Sequence, residues 1–276
     1  RNLELFNPNA PTGKSLFDVI NFTQSPMGAR NLQRWLAMPL LKPAQIEERH
    51  NMVEDFYKDV ALSEALGEIL TSIHDLERLA VKLSTRKVLP KELVQLKLAI
   101  TAGNALKEHC ASSGESLKQL TKKLHSLYDL VALIADRLMD EPSNQINKGN
   151  VIREGVSPEL DELRDLLGNG KQKLVEIQQR EVQQTGISSL KVAFNNVFGY
   201  YLEVKNTHKD KVPSSWVRKQ TLINAERYIT EELKEYEQKI FGAEEKIFAL
   251  EQELYENTIE QAAKFVNQLQ QNAKVI

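Results

Sequence analysis

The side chains of this sequence that could bind a ligand are cations concentrated between residues 188 and 230. Seven cations occur there against three anions, Glu203, Asp210 and Glu226, so the segment has a net charge of +4. Lysine and arginine neutralise phosphate groups, which makes the segment a candidate for binding a polyanion. The seven cations are Lys191, Lys205, Lys209, Lys211, Arg218, Lys219 and Arg227.

Short polar side chains are interspersed with these cations. Asn195, Asn196, Thr221 and Asn224 can all donate hydrogen bonds to phosphate oxygens. On a hairpin the same residue types are equally expected in turns and cross-strand pairs, and the cations also fit an ordinary solvated surface. No pattern of base-reading side chains accompanies them, so any nucleic-acid contact is expected to go to the backbone.

The segment that follows has the opposite charge. Between residues 231 and 260 there are ten glutamates against Lys234, Lys239 and Lys246, which gives −7. This segment repels polyanions while the preceding one attracts them. The contrast favours a molecule that touches a polyanion only through residues 188–230.

The sequence contains no residue pattern typical of a catalytic or metal-binding site. Gly13-Lys14-Ser15 resembles the end of a phosphate loop, but the required earlier glycine position holds Pro8. The five histidines are not paired at helical spacing, and Cys110 is the only cysteine. We therefore expect no enzyme activity, no metal and no cofactor in this chain.

Composition points to long helices. The 276 residues are 41% hydrophobic, 27% charged and only 7% aromatic, with a net charge of −2. No apolar run reaches the length of about 18 residues that spans a membrane. The lone cysteine suits a reducing compartment, so we expect a cytoplasmic protein. Because Arg1 is not an initiator Met, we expect the chain to be part of a longer protein.

Residues 1–155 are predicted to form a helical core. Helices are expected to begin at Pro26 and Pro43, the second with Ile46, Val53 and Phe56 buried. A further helix is predicted over about 116–139. A segment rich in Pro, Asn and Gly follows it, over 140–155, and marks a boundary.

The rest of the chain is predicted as two helices that flank a β-rich module. The first helical segment is 156–186, in which the helix itself begins at Pro158. Residues 187–230 alternate between apolar and polar side chains as strands do. Residues 231–276 form the second helical segment, with apolar residues at 3-4 spacing. The third strand is predicted over 216–224. The fold class is therefore mainly α, with a helical core bundle and long antiparallel helices interrupted by a small β-rich module.

Several stretches, in order along nearly the whole chain, resemble the MutS family of DNA mismatch repair proteins. Residues 190–201 and 218–228 resemble the clamp, and 232–237 the start of the returning helix. The other matching stretches are 1–5, 25–40, 151–155 and 160–164.

The resemblance implies a core and lever domain interrupted by a clamp that embraces duplex DNA. It implies a homodimer, a MutL-type repair partner, and ATP with Mg bound in a separate ATPase domain of the full-length protein. It places the protein in the bacterial cytoplasm, associated with the nucleoid.

The backbone contacts that the resemblance implies include Asn195, Asn196, Arg218, Lys219, Thr221 and Asn224. The charge pattern adds Lys205, Lys209 and Lys211. Ile223 and Phe198 depart from the family pattern, in which a basic residue and a His are often found. Tyr200 and Tyr228 are expected to pack in the core.

Two alternative functions remain open at this point. The chain could be a coiled-coil scaffold whose β module binds a protein, or a MutS-like paralogue that serves recombination. Reversing the charge of Lys205, Lys209, Arg218 and Lys219 would separate the first alternative from DNA binding. A mismatch-reading wedge motif upstream would separate the second from repair.

Overall fold

The computed structural model describes residues 4–8, 10–195, 197 and 199–276, without the side chains at 147, 170 and 171. The chain divides into two compact units, one formed by 1–153 with 254–276 and the other by 154–253. Most described residues are helical, and one four-stranded antiparallel sheet is present. This confirms the prediction of a mainly α chain with a small β module. The finer division at 155, 186 and 230 stays a prediction.

The helices are numbered along the chain, and the strands likewise. The helices are α1 Leu16–Ile20, α2 Pro26–Ala37, α3 Pro43–Lys58, α4 Val60–Ser72, α5 Leu76–Ser84, α6 Pro90–His109, α7 Glu115–Lys122, α8 Tyr128–Arg137, α9 Pro158–Gly168, α10 Gly170–Thr185, α11 Glu231–Ala263 and α12 Val266–Val275. The strands are β1 Lys191–Asn195, β2 Gly199–Lys205, β3 Val217–Thr221 and β4 Ala225–Ile229.

The helices predicted to begin at Pro26 and Pro43 do begin there. Ser25 accepts a hydrogen bond from the amide of Gly28 at 3.1 Å, and Pro26 fills the first helical position, where no amide hydrogen is needed. Pro43 fills the first position of α3, where Lys42 precedes it without a side-chain cap bond. At the start of α11, Thr230 Oγ1 accepts from the amide of Leu233 at 3.2 Å.

The core of the first unit is built from helices far apart in sequence. α5, α6 and α8 bury Leu76, Leu96 and Ile134 completely, and α12 packs along α5. Tyr255, near the end of α11, is 2% exposed and donates its hydroxyl hydrogen bond to the carbonyl of Val88 at 2.8 Å. The last 23 residues therefore complete a core that the first 153 begin.

The helix predicted over 116–139 is two helices, α7 and α8. The chain breaks because polar side chains from elsewhere hold the backbone between them. Asn104 and Lys107 of α6 donate to the carbonyls of Ser126 and Leu124, at 2.9 and 2.8 Å. Asn272 of α12 accepts from the amide of His125 and donates to its carbonyl, both at 2.8 Å.

The prediction that α3 buries Val53 is wrong for the part of the chain described here. Val53 is 65% exposed, Ile46 and Phe56 are half-buried, and no residue of α3 is fully buried. Apolar spacing identifies an apolar face of a helix but does not identify what covers it. Here α4 and α7 cover only part of that face.

In the second unit, α11 runs antiparallel to α9 and α10. Arg164 of α9 pairs with the buried Glu251, and Arg180 of α10 pairs with Glu232. The later residue of α9 and α10 thus contacts the earlier residue of α11, which is the order of an antiparallel pair. The helix predicted within 156–186 is present as α9 and α10. The returning helix predicted within 231–276 ends at Ala263, and α12 starts separately at Val266.

The sheet has the strand order β1-β2-β4-β3, with all neighbours antiparallel. The strand predicted over 216–224 is shorter, and β4 was not predicted. The turn between β3 and β4 consists of Ile223 and Asn224, closed by the Leu222 amide donating to the Ala225 carbonyl at 2.8 Å. Neither residue has a positive φ, so no glycine marks the turn in the sequence.

We expect Asn272→Ala to destabilise the chain by about 1–3 kcal/mol, because the amide and carbonyl of His125 would lose their partner in a part-buried site. Urea unfolding followed by circular dichroism measures this. The exposed neighbour Gln270 provides a control, since Gln270→Ala should change the unfolding free energy by less than about 0.5 kcal/mol. Equal stability of the two variants would contradict the role assigned to Asn272.

Candidate nucleic-acid interface

One face of the sheet is buried and fixes which residues face solvent. Leu202, Val204 and Tyr228 point from this face into a core with Ile177 of α10 and Leu233 of α11. Strand residues alternate between faces, so this burial assigns Lys191, Lys205 and Arg227 to the opposite, outer face. The placement of Tyr228 in this core, with Tyr200 packed against it, confirms the prediction for both tyrosines.

Most of the predicted contact residues lie at one end of the sheet, which we call the cationic end. β1 starts there with Lys191, and β2 ends there with Lys205. Thr221 ends β3 there, and Asn224 lies in the turn that joins β3 to β4. The 3-10 helix Asn206–Lys211 follows β2 directly and contributes Lys209 and Lys211.

The lysines of this sheet region have no acidic partner. Lys191, Lys205, Lys209, Lys211 and Lys219 are all exposed, and within the described part of the chain no carboxylate lies within 4.0 Å of their ammonium groups. A lysine without an ion pair keeps its full charge for an external anion. These five side chains therefore place unneutralised positive charge on the sheet and on the 3-10 helix that follows β2.

The two arginines of the sheet are already paired. Arg218 Nη1 lies 3.2 Å from Glu226 Oε1, and Arg227 Nε lies 3.2 Å from Glu203 Oε2. Each pair reduces the charge that its arginine offers to a ligand. Lys219 sits at the bulge between Arg218 and Gln220, where the register between β3 and β4 shifts.

Arg227 is held on the outer face by three neighbours. Besides its contact with Glu203, it donates to Gln220 Oε1 at 2.9 Å, and its guanidinium lies 4.4 Å from the ring centre of Tyr201. Sequence reasoning counted Arg227 and Lys191 as cations but did not select them as contacts. The alternation of buried and exposed positions in β2 and β4 is the signal that places them on the face with Lys205.

The turn that carries Asn224 is braced by Asn206. The Asn206 amide donates to the Asn224 carbonyl at 3.2 Å, and its side-chain Nδ2 donates to the Ile223 carbonyl at 2.9 Å. This places the β3–β4 turn beside the chain that continues from Lys205. Lys205, Lys209, Thr221 and Asn224 are thereby brought to the same end of the sheet.

Asn195 lies at the opposite end of the sheet. It pairs with Gly199 at the β1–β2 turn, six residues along β2 from Lys205, a separation of roughly 20 Å at 3.3 Å per residue. That turn lies against α11, where Phe194 approaches Phe241 and a Cβ on Gly199 would meet the carboxylate of Glu237. Asn196 falls outside the described residues. Asn195 is thus separated from the lysines and close to an acidic helix.

Among the described residues, no group of three His, Cys, Asp or Glu side chains has the geometry of a metal site, and no helix is both long and apolar enough to cross a membrane. At Gly13-Lys14-Ser15, the Ser15 amide and hydroxyl donate to Asp18 at 2.9 and 2.7 Å, which forms a helix cap.

Comparison with known proteins identifies the family. The family model described as MutS domain III matches residues 1–276. The chain belongs to the MutS family.

Similar proteins share about half of its residues. The "DNA mismatch repair protein MutS" of Parabacteroides distasonis is 50% identical, and those of Porphyromonas gingivalis and Bacteroides thetaiotaomicron are 48% and 49% identical. Each match covers 100% of this chain but only 32%, 31% and 32% of the relative. The chain therefore spans about a third of the length of these MutS proteins, and the family resemblance inferred from the sequence is confirmed.

In this MutS domain III segment, Glu226 connects the sheet core to an exposed arginine. Tyr228 donates its hydroxyl hydrogen bond to Glu226, and this bond, aided by Arg218, lowers the pKa of the Glu226 carboxyl. Burial, reinforced by the negative charge of Glu226, raises the pKa of Tyr228 to about 12 from an ordinary value of 10.0. The phenol is thus held in its protonated, donating form.

This raised pKa predicts a pH-dependent contribution to stability. In the unfolded chain the phenol loses its proton near pH 10, whereas the folded chain holds it to about pH 12. The stabilisation is complete below pH 10 and is lost as the pH rises toward 12. We expect Tyr228→Phe to be less stable than the parent by about 1.5 kcal/mol at pH 7, and this gap to narrow between pH 10 and 12.

Urea unfolding measures this difference in unfolding free energy between the parent and Tyr228→Phe. The signal is the fluorescence of Trp216, whose ring centre lies 5.9 Å from that of Tyr228. Both proteins carry Trp35→Phe, so that Trp216 is the only tryptophan that reports. The control is Tyr57→Phe, since Tyr57 is 85% exposed and its replacement should leave the pH dependence unchanged. A gap that stays constant from pH 7 to 12 would contradict the proposed bond.

Proposed function

We propose that this segment holds duplex DNA by its sugar-phosphate backbone, without reading sequence, as part of a mismatch-recognition protein in DNA mismatch repair. The observation that supports this best is the set of five exposed lysines without an ion pair, on the sheet and on the 3-10 helix after β2, in contrast to the acidic α11. Backbone contacts position a protein on DNA but carry no sequence information, which suits a protein that must grip any duplex.

Within this proposal, the expected contribution of each residue to DNA binding depends on whether acidic groups lie near it. Lys205, Lys209, Lys211 and Lys219 provide charge, and Thr221 and Asn224 donate neutral hydrogen bonds beside them. Arg218 contributes less because Glu226 neutralises part of its charge. Asn195 and Asn196 contact the duplex only if it also passes the β1–β2 turn, which adjoins acidic α11.

The remaining roles are assigned to the full-length protein. We propose that α9, α10 and α11 couple the clamp mechanically to other domains, and that ATP and Mg bind in a separate ATPase domain, so that this segment itself is not an enzyme. We further propose a homodimer and a MutL-type partner, acting in the bacterial cytoplasm at the nucleoid. The similar proteins are named as DNA mismatch repair proteins, which favours repair over a recombination paralogue.

The isolated chain is expected to bind a 30-base-pair duplex weakly, with a Kd of about 10⁻⁴–10⁻⁶ M and strong salt dependence. We expect the double reversal Lys205→Glu with Lys209→Glu to weaken binding at least about tenfold, because two phosphate contacts become repulsive. Fluorescence anisotropy across a KCl series measures both quantities.

The matched control is the double reversal Lys239→Glu with Lys246→Glu. It changes the net charge by the same amount as the Lys205 and Lys209 reversals, also at exposed positions, but on α11. It should leave the Kd within about twofold, because those lysines lie among glutamates away from the cationic end. Equal loss in both variants, or binding insensitive to salt, would reject the proposal. If the Lys205 and Lys209 reversals also left DNA binding by the intact protein untouched, a protein-binding β module would become the better explanation.

A further inference from the structure

The apex of the β3–β4 turn presents an apolar side chain in the midst of the cationic end. Ile223 is 94% exposed, and no other large apolar side chain among the described residues is more exposed. Single exposed apolar residues are common on protein surfaces, so exposure alone assigns no role to it. Its backbone support and its neighbours are what distinguish it.

The turn holds Ile223 in a fixed position. The Leu222 amide donates to the Ala225 carbonyl at 2.8 Å, and Asn206 bonds the carbonyls of both turn residues, at 2.9 Å for Ile223 and 3.2 Å for Asn224. A side chain on a braced turn loses little conformational entropy when it is buried by a partner. Ile223 is therefore built to contact something without rearrangement.

Its neighbours specify the chemistry of that partner. Asn206, which braces the turn, directly follows Lys205. Thr221 ends β3 just before the turn and Asn224 is its second residue, so a cation and hydrogen-bond donors lie near one apolar group. A duplex matches this arrangement, since its phosphates alternate with the apolar edges of deoxyribose along the minor groove. We propose, building on the DNA-binding function above, that Ile223 packs against the deoxyribose edge of the minor groove while the lysines contact phosphates.

The salt dependence of binding separates this apolar contact from the ionic ones. Ile223→Ser should weaken duplex binding by the chain about fivefold at every KCl concentration, because apolar burial releases no counterions and the slope stays unchanged. Ile223→Lys should instead steepen the slope by roughly one phosphate contact. The control is Val175→Ser, on α10 and 51% exposed, which should change neither the Kd nor the salt slope.

An unchanged Kd for Ile223→Ser, with the Lys205 and Lys209 reversals still effective, would overturn the Ile223 contact and leave DNA binding intact. If the lysine reversals have no effect either, the DNA-binding proposal itself fails. A steeper loss for Ile223→Ser at low salt only would also overturn the inference, since it would indicate an electrostatic effect.

A second inference rests on a different observation, the glycines within the helices of the second unit. α9 ends at Gly168 and α10 starts at Gly170, yet Asn169 between them keeps right-handed helical dihedral angles. The helical bonding continues, with the Asn169 amide donating to Asp165 at 2.9 Å and the Lys173 amide to Asn169 at 3.1 Å. Gly242 lies in the interior of α11, which also continues through it.

These glycines lie opposite one another. Arg180 pairs with Glu232, and moving ten residues away from this pair along each antiparallel helix reaches Gly170 and Gly242. The pair Arg164–Glu251 fixes the helices again on the far side. A Cβ added at Gly168 or Gly242 would have no neighbour within 4 Å, so close packing does not require glycine at either position.

We infer that this level of the helix pair is a hinge, bounded on each side by an ion pair. Glycine in a helix interior favours non-helical conformations by about fivefold relative to alanine, and three glycines at one level concentrate that effect. Bending there moves the sheet without disturbing its core, because Ile177 and Leu233 lie on the sheet side of the glycines.

Double electron-electron resonance on the whole chain tests this hinge by measuring the distance between two spin labels. The labels are attached to cysteines that replace the exposed Glu162 and Gln179, and Cys110→Ala removes the native cysteine. We expect a population of bent conformers that falls at least about fivefold in Gly168→Ala with Gly242→Ala. Gly67→Ala, in α4 with no neighbour within 4 Å, should leave the distances unchanged. A single narrow distance in the parent chain, or an unaltered bent fraction in the double variant, would overturn the hinge.

Discussion

A four-stranded sheet of this size is stable only if one of its faces is buried, and that constraint organises the second unit. The helices α10 and α11 provide the covering surface, through Ile177 and Leu233 against Leu202, Val204 and Tyr228. Burial of one face commits the alternate residues of each strand to the outside. The cationic outer face is therefore a consequence of how the core is filled, not an independent feature of the sheet.

The same constraint separates the charges. α11 must run beside the sheet to cover it, and its acidic surface then lies next to the β1–β2 turn, as the approach of Glu237 to Gly199 shows. The unpaired lysines at the other end of β2 are roughly 20 Å away, which exceeds the Debye length of about 8 Å at physiological salt. Acidic and cationic regions can therefore coexist in one small unit without cancelling each other.

Local chemistry was predicted well from the sequence, and long-range effects were not. The helix starts at Pro26 and Pro43, the first two strands and the cation-rich segment all depend on neighbouring residues, and each is present. The break between α7 and α8 depends on Asn272, which lies about 145 residues away, so no local pattern could reveal it. β4 was missed because its turn contains no glycine.

For the candidate site, charge composition identified the right segment but not the arrangement within it. Asn195 and Lys205 are close in sequence, and only the strand register shows that they lie at opposite ends of β2. The register likewise places Arg227 beside Lys191 and Lys205, although 36 residues separate Lys191 from Arg227. The partial neutralisation of Arg218 by Glu226 could not be foreseen without the pairing of β3 with β4.

The discontinuity of the first unit has a consequence for synthesis. α5 ends at Ser84, but its packing partner α12 begins at Val266, so the first core cannot close until the ribosome has made the intervening residues. The sheet closes its pairings within the 39 residues from Lys191 to Ile229. Segments that are close in sequence meet faster than distant ones, so the inserted unit is expected to fold first during translation. The unit into which it is inserted can complete its core only after α12 has been synthesised.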